Sequence, residues 1–167
     1  LIHKELIIAL AEVKKACAIS TFEAGIMTEE VKDAIVQASD EIIAGKLHDQ
    51  FICDPIQGGA GTTANMNANE VIANRANEIL GGKLGAYDKV NANDHVNMGQ
   101  STNDAFPTAG KIAALKLGEK TVNELRKLYD ALLEKSKEFD HVIKMGRTHL
   151  QDAVPIRLGQ EFHAYSS

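Results

Sequence analysis

Apolar side chains recur at helical spacing in successive blocks along the chain. Over 4–24, Leu6, Leu10, Val13, Cys17 and Thr21/Phe22 make one stripe, closed by Gly25. Thr28 is placed to cap a second helix, with Glu29 and Glu30 in its first turn, where the helix dipole favours negative charge. Val31, Ala34, Ile35, Ala38, Ile42 and Ile43 form its inward face, and Gly45 ends it. After a loop over 46–61, a third helix is predicted over about 64–80. Its apolar face is Ala68, Val71, Ile72, Ala76, Ile79 and Leu80, and Gly81-Gly82 stops it. The stretch 83–106 is irregular and rich in Asn and Gly, and Pro107 suits the first turn of a fourth helix.

That fourth helix meets no breaker before about Phe139 except Gly118, so its roughly 33 residues would span roughly 50 Å. Leu115, Val122 and Tyr129 recur every seven residues, as do Leu125, Leu132 and Phe139. So long a stripe needs neighbours from further sequence or from other subunits, which predicts a helix bundle and an oligomer. The segment 141–159 reads as extended or looped, and a further helix starts near Gly159. The expected fold class is mainly all-α. A helical N-terminal domain over 1–98 is followed by the beginning of a long-helix bundle domain over 99–167. With Leu at its start and a new helix at its end, the chain is expected to be a piece of a longer one.

Composition narrows this only a little. Hydrophobic residues make up 44% and charged residues 25%, ordinary for a soluble globular protein. A net charge of −5 gives no reason to expect nucleic acid or an acidic membrane as partner. The longest apolar run, 6–11, stops at Glu12, far short of a membrane span, and no signal peptide is visible. Cys17 and Cys53 do not make a disulfide framework, and a reducing cytoplasm is the expected location.

Residues 59–64, Gly-Ala-Gly-Thr-Thr-Ala, have the outline of a dinucleotide-binding turn. That reading needs a strand before the glycines and an acidic residue ending a second strand about twenty positions on. Asp54 and Pro55 spoil the strand, and the acid would fall near Glu78, inside the third helix. A glycine turn capped by Thr62 or Thr63 is the better reading, and it leaves the asparagines unexplained. Asn65, Asn67, Asn69, Asn74 and Asn77 crowd that helix, and Asn91, Asn93, Asn97, Gln100 and Asn103 follow. They form either a solvated polar face or a buried network of neutral donors and acceptors.

Ser101, Thr102 and Asn103 precede Pro107, where a helix start offers unpaired N–H groups and partial positive charge to an anion. Thr62 and Thr63 stand at the start of the third helix, and two such sites facing one another would hold a small dicarboxylate without arginine. Ser and Thr are also routine helix caps. Thr148-His149 puts a hydroxyl beside a titratable imidazole, and His3, His48, His95, His141 and His163 have no better claim to chemistry. No cluster has metal-ligand spacing.

Taken together, "GGAGTTANMNANEVIANR", "NANDHVNMGQSTNDAFPT" and "MGRTHLQDAVPIRLGQE" resemble the aspartase/fumarase superfamily over essentially the whole chain. On this resemblance the glycine turn is the family's carboxylate-binding loop. Within the superfamily the chain looks most like the aspartase branch. Ala60 stands where class II fumarases usually have Ser, Asn91 where they typically carry His, and Ser101-Thr102 where they tend to have Ser-Ser. Class II fumarase is the alternative, and a non-catalytic helical assembly module is a second one.

The resemblance implies reversible elimination of ammonia from L-aspartate to give fumarate, without a cofactor or a metal. Catalysis then requires stabilising the aci-carboxylate dianion formed when the proton leaves. By similarity, Ser101 and Thr102 grip the reacting carboxylate with Thr62 nearby. Asn103 and His149 face the amino group, and Thr148 helps to hold the other carboxylate. The family's base is a serine on a glycine- and serine-rich loop, for which 1–167 has no match. This piece alone is therefore expected to be inactive. The family's sites combine segments from three subunits of a homotetramer.

Overall fold

A computed structural model describes residues 2–54 and 56–167. The fold is mainly helical: α1 (Lys4–Glu23), α2 (Glu29–Ile43), a 3-10 turn (His48–Gln50), α3 (Thr62–Ile79), a π-helical turn (Ala92–Val96) and α4 (Thr102–Glu138). A hairpin of β1 (Ile143–Thr148) and β2 (Gln151–Arg157) and a short α5 (Leu158–Tyr165) complete it. Two compact units divide within α4, Leu1–Lys116 and Leu117–Ser167. Among the described residues, no helix is long and apolar enough to cross a membrane. Leu1 and Pro55, including the strand argument made on Pro55, lie outside the described residues.

In the first unit α1, α2 and α3 pack on one another, because each has a row of small or branched apolar residues facing inward. Ala34, Ile35, Ala38 and Ile42 of α2 and Ala68, Ile72 and Ala76 of α3 are buried as the periodicity predicts. Thr28 Oγ1 accepts from the Val31 N–H at 3.4 Å as the predicted cap of α2. In α1 the buried row is not quite the expected one. Ile7, Leu10, Ala11, Lys14 and Ala18 are buried, whereas Leu6 and Val13 only flank the core. A lysine therefore occupies a core position. Arg75 of α3 grips Glu41 of α2 with two contacts, Nε to Oε2 at 2.8 Å and Nη2 to Oε1 at 3.0 Å. The guanidinium holds the Glu41 carboxyl below the usual carboxylate range.

Three boundaries differ from the periodicity. First, α3 starts at Thr62, two residues early, and neither Thr62 nor Thr63 caps it. Gly61 does so, at φ +91° and with no side-chain bond. Second, α4 starts at Thr102, so Thr102 and Asn103 lie inside its first turn and Pro107 lies within the helix. The Ser101 hydroxyl accepts from the Asn103 N–H at 3.2 Å, and the Ser101 carbonyl accepts from Asp104 and Ala105. This local cap satisfies the helix start before proline is reached. Third, the segment that reads as extended or looped forms over 143–157 an antiparallel hairpin, pairing Thr148 with Gln151 across His149-Leu150. Both turn residues have positive φ, 50° and 62°, the signature of a two-residue turn matched to strand twist. Neither is glycine, so turn chemistry did not announce the hairpin.

In the second unit the Phe139 and Phe162 rings meet at 5.6 Å, and the Gly159 N–H donates to the Phe139 carbonyl at 3.1 Å. Along α4, Leu115, Val122, Leu125, Leu128 and Tyr129 are exposed.

Gly61 and Gly45 have nearly the same φ, +91° and +92°, but different surroundings. A Cβ on Gly61 would stand 2.2 Å from the Phe106 ring, while one on Gly45 would meet nothing within 4 Å. Gly45→Ala is expected to cost only the backbone penalty, about 1 kcal/mol. Gly61→Ala is expected to cost about 1–3 kcal/mol more through overpacking. Urea midpoints of the two variants measure this, and equal losses would show that the ring contact is dispensable.

Candidate active site

The turn at 58–61 closes with the Gly61 N–H donating to the Gly58 carbonyl at 2.7 Å. A Cβ on Gly58 would stand 2.3 Å from Thr63 Oγ1, so this loop lies against the first turn of α3 as only glycine allows. Thr62 is exposed there, and the first N–H groups of α3 have no side-chain cap. The Phe106 ring, one turn into α4, sits on Gly61. Asn65 of α3 donates through Nδ2 to Thr102 Oγ1 at 3.1 Å. These two contacts set the N-termini of α3 and α4 side by side at the end of the first unit that carries Ser101, Thr102 and Asn103, while Thr62, the first residue of α3, lines a cleft with Leu47, Cys53 and Asn67. Ser101 and Asn103 are exposed and Thr102 is half-buried.

Behind Thr102, Asn65, Asn69, Asn97 and Gln100 form a largely buried network, whereas Asn93 and Asn103 are exposed. Asn65, Asn69 and Asn77 are fully buried. Asn97 Oδ1 accepts from Lys14 Nζ at 3.0 Å, Asn65 Nδ2 at 3.2 Å and Asn69 Nδ2 at 3.1 Å. Lys14 Nζ also donates to Gln100 Oε1 at 2.8 Å, and Gln100 Nε2 donates to the Val96 carbonyl at 2.7 Å. Burial lowers the Lys14 ammonium from 10.5 to about 8, which leaves it mainly protonated at neutral pH. The same burial raises the Cys17 thiol one turn on. Asn77 ties the chain separately, accepting from the Lys89 and Val90 N–H groups and donating to the Val90 carbonyl. Asn91 has a local role, its Oδ1 accepting from the Asn93 and Asp94 N–H groups.

Sequence reasoning picked out the amides but missed Lys14, which anchors them. The available signal was its place in the row Ile7, Ala11, Lys14, Ala18, where a charge is out of keeping with its neighbours.

Thr148 and His149 belong to the second unit. Thr148 ends β1, and His149 is the first turn residue, exposed at the hairpin tip. Three other histidines have structural partners. His3 Nδ1 accepts from the Glu5 N–H, His48 Nε2 donates to the Ile42 carbonyl at 2.8 Å, and His95 Nδ1 accepts from the Asn91 N–H at 2.9 Å. Among the described residues, no group of three His, Cys, Asp or Glu could hold a metal ion.

This arrangement, donors at paired helix starts backed by buried amides, accompanies extensive sequence similarity. The chain is 62% identical over 165 residues to an aspartate ammonia-lyase of Bacillus subtilis (strain 168), covering 99% of this chain and 35% of that protein. It is 52% identical over 161 residues to the mitochondrial fumarate hydratase of Saccharomyces cerevisiae, covering 96% of this chain and 33% of that one. Among solved structures, a fumarate lyase:delta crystallin from Brucella melitensis in native form superposes with a TM-score of 0.83 at 52% identity, covering 98% of this chain and 38% of that chain. The chain thus spans about a third of the length of the curated relatives it matches. A family model described as Lyase matches residues 2–167, and this chain belongs to that lyase family.

Proposed function

We propose that the protein carrying this chain is a lyase that reversibly eliminates ammonia from L-aspartate to give fumarate. The observation that carries the reading is the contact between the α3 and α4 starts, which places Thr102 against Asn65 beside a helix start that has no side-chain cap. The high identity to an aspartate ammonia-lyase supports the same substrate. In this reading Ser101 and Thr102 donate to the carboxylate whose neighbouring C–H is deprotonated, with Thr62 beside them. Asn103 and His149 position the amino group, and Thr148 binds the second carboxylate. Charge grows on the first carboxylate as the proton leaves, so its donors act most strongly in the transition state. The reading places the serine base in a part of the protein other than 1–167, and this piece alone is then inactive.

The reading also includes a domain boundary near residue 98, a homotetramer with sites shared between subunits, and a cytoplasmic location. The exposed row Leu115, Val122, Leu125, Leu128 and Tyr129 supports the assembly, since an apolar stripe on one helix is suited to burial against others. The 52% identity to a fumarate hydratase favours malate as the competing substrate. Ala60 and Asn91 argue against it.

The full-length protein is expected to form fumarate far faster from L-aspartate than from L-malate. Absorbance of fumarate measures both, and equal or better turnover of malate would make the protein a hydratase. Thr102→Val is expected to lower kcat by roughly 10²-fold, the scale of one oxyanion donor, with a smaller change in KM. A change confined to KM would reduce Thr102 to a ground-state binding group. Residues 1–167 alone are expected to self-associate in sedimentation runs. A compact monomer over a wide concentration range would count against the shared bundle.

A further inference from the structure

We propose that Lys14 and Asn65 are positioning residues that fix the Thr102 hydroxyl as an outward hydrogen-bond donor; this rests on the ammonia-lyase reading above. An ammonium donates and cannot accept. Lys14 Nζ faces Asn97 and Gln100, so both must turn their oxygens toward it, as they do at 3.0 and 2.8 Å. With its oxygen so committed, Asn97 can receive Asn65 only through the Asn65 Nδ2 group, at 3.2 Å. The second hydrogen of that same Nδ2 points to Thr102 Oγ1 at 3.1 Å. The Thr102 oxygen accepts from within, and its own hydrogen is left for an outside acceptor. Among the described residues, no group accepts it.

Among the described residues, the buried Oδ1 atoms of Asn65 and Asn69 have no partner. Turning the Asn65 amide over would bring its oxygen against the Asn97 oxygen, so the polarity holds although Asn65 Oδ1 is left unpaired. Lys14, donating to both Asn97 and Gln100, is the fixed end of the chain. Thr102 would in this way meet the developing carboxylate charge with its hydrogen already directed outward, as preorganised donors must.

The test uses the full-length protein with L-aspartate, each variant being checked by sedimentation and circular dichroism. Asn65→Asp keeps the side chain's shape but replaces the inner donor with an acceptor, drawing the Thr102 hydrogen inward. Its kcat is expected to fall roughly 10²-fold, like that of Thr102→Val, with a smaller change in KM. Placed on Thr102→Val, Asn65→Asp should add less than about a twofold further loss, because the hydroxyl it orients is gone. Lys14→Met is expected to lower kcat about tenfold or more. Lys14→Arg, still an obligate donor, should retain more activity, which decides the matter if Asn65→Asp fails to assemble.

Multiplicative losses in the double variant would overturn the proposal, as would equal kcat for Lys14→Met and Lys14→Arg. A large effect of Thr102→Val beside full activity of Asn65→Asp would also overturn it while leaving the lyase reading intact. Failure of the unmodified protein to act on L-aspartate would instead remove the lyase reading itself.

Discussion

A buried ammonium that can donate but never accept is the constraint around which the first unit is organised. Lys14 of α1 meets Asn97 and Gln100, and Asn97 in turn meets Asn65 and Asn69 of α3. Segments distant in sequence are thus joined by polar bonds whose direction is fixed at one end. Apolar packing could bring the same helices together, but it is non-directional and would not decide which way a hydroxyl points. The arrangement has a cost. Two buried amide oxygens have no partner among the described residues, and the ammonium is desolvated enough to lower its pKa to about 8. Small residues at Ala9, Ala11, Ala68, Ala73 and Ala76 let the helices approach closely enough to help offset it.

Much of this architecture was legible in the order of the residues. The α2 cap at Thr28, the inward faces of α2 and α3 and the great length of α4 follow from periodicity and stop signals. The misses have physical causes. Pro107 looked like a helix start because proline tolerates the first turn, but the Ser101 cap already satisfies the helix earlier. The segment 143–157 reads as extended or looped, but the turn that pairs its two halves escaped notice because His149 and Leu150 occupy positive φ where Asn or Gly is the usual cue. Among the site residues, Ser101, Thr102 and Thr62 could be singled out as hydroxyls at helix starts. That the two starts are neighbours depends on Gly61 lying under Phe106, a contact no local pattern encodes. Lys14 was passed over because lysine is almost never fully buried.

The helix α4 serves two purposes along its length. Its first turn carries Thr102 and Asn103 behind the Ser101 cap, and its later turns carry an exposed apolar row from Leu115 to Tyr129.

The left-handed backbone at the hairpin tip narrows which residues can ever stand beside Thr148. At φ 50° a side chain branched at Cβ collides with its own main chain, so Val, Ile and Thr are unsuited to position 149. Asn, Asp and His are the side chains that populate this region most readily after glycine. Before any contact with a substrate is considered, the turn already favours a short polar side chain able to hydrogen-bond at this position. Leu150, at φ 62° and 93% exposed, has no such affinity for the left-handed region. Neutral drift toward Gly or Asn is therefore open at 150 on conformational grounds.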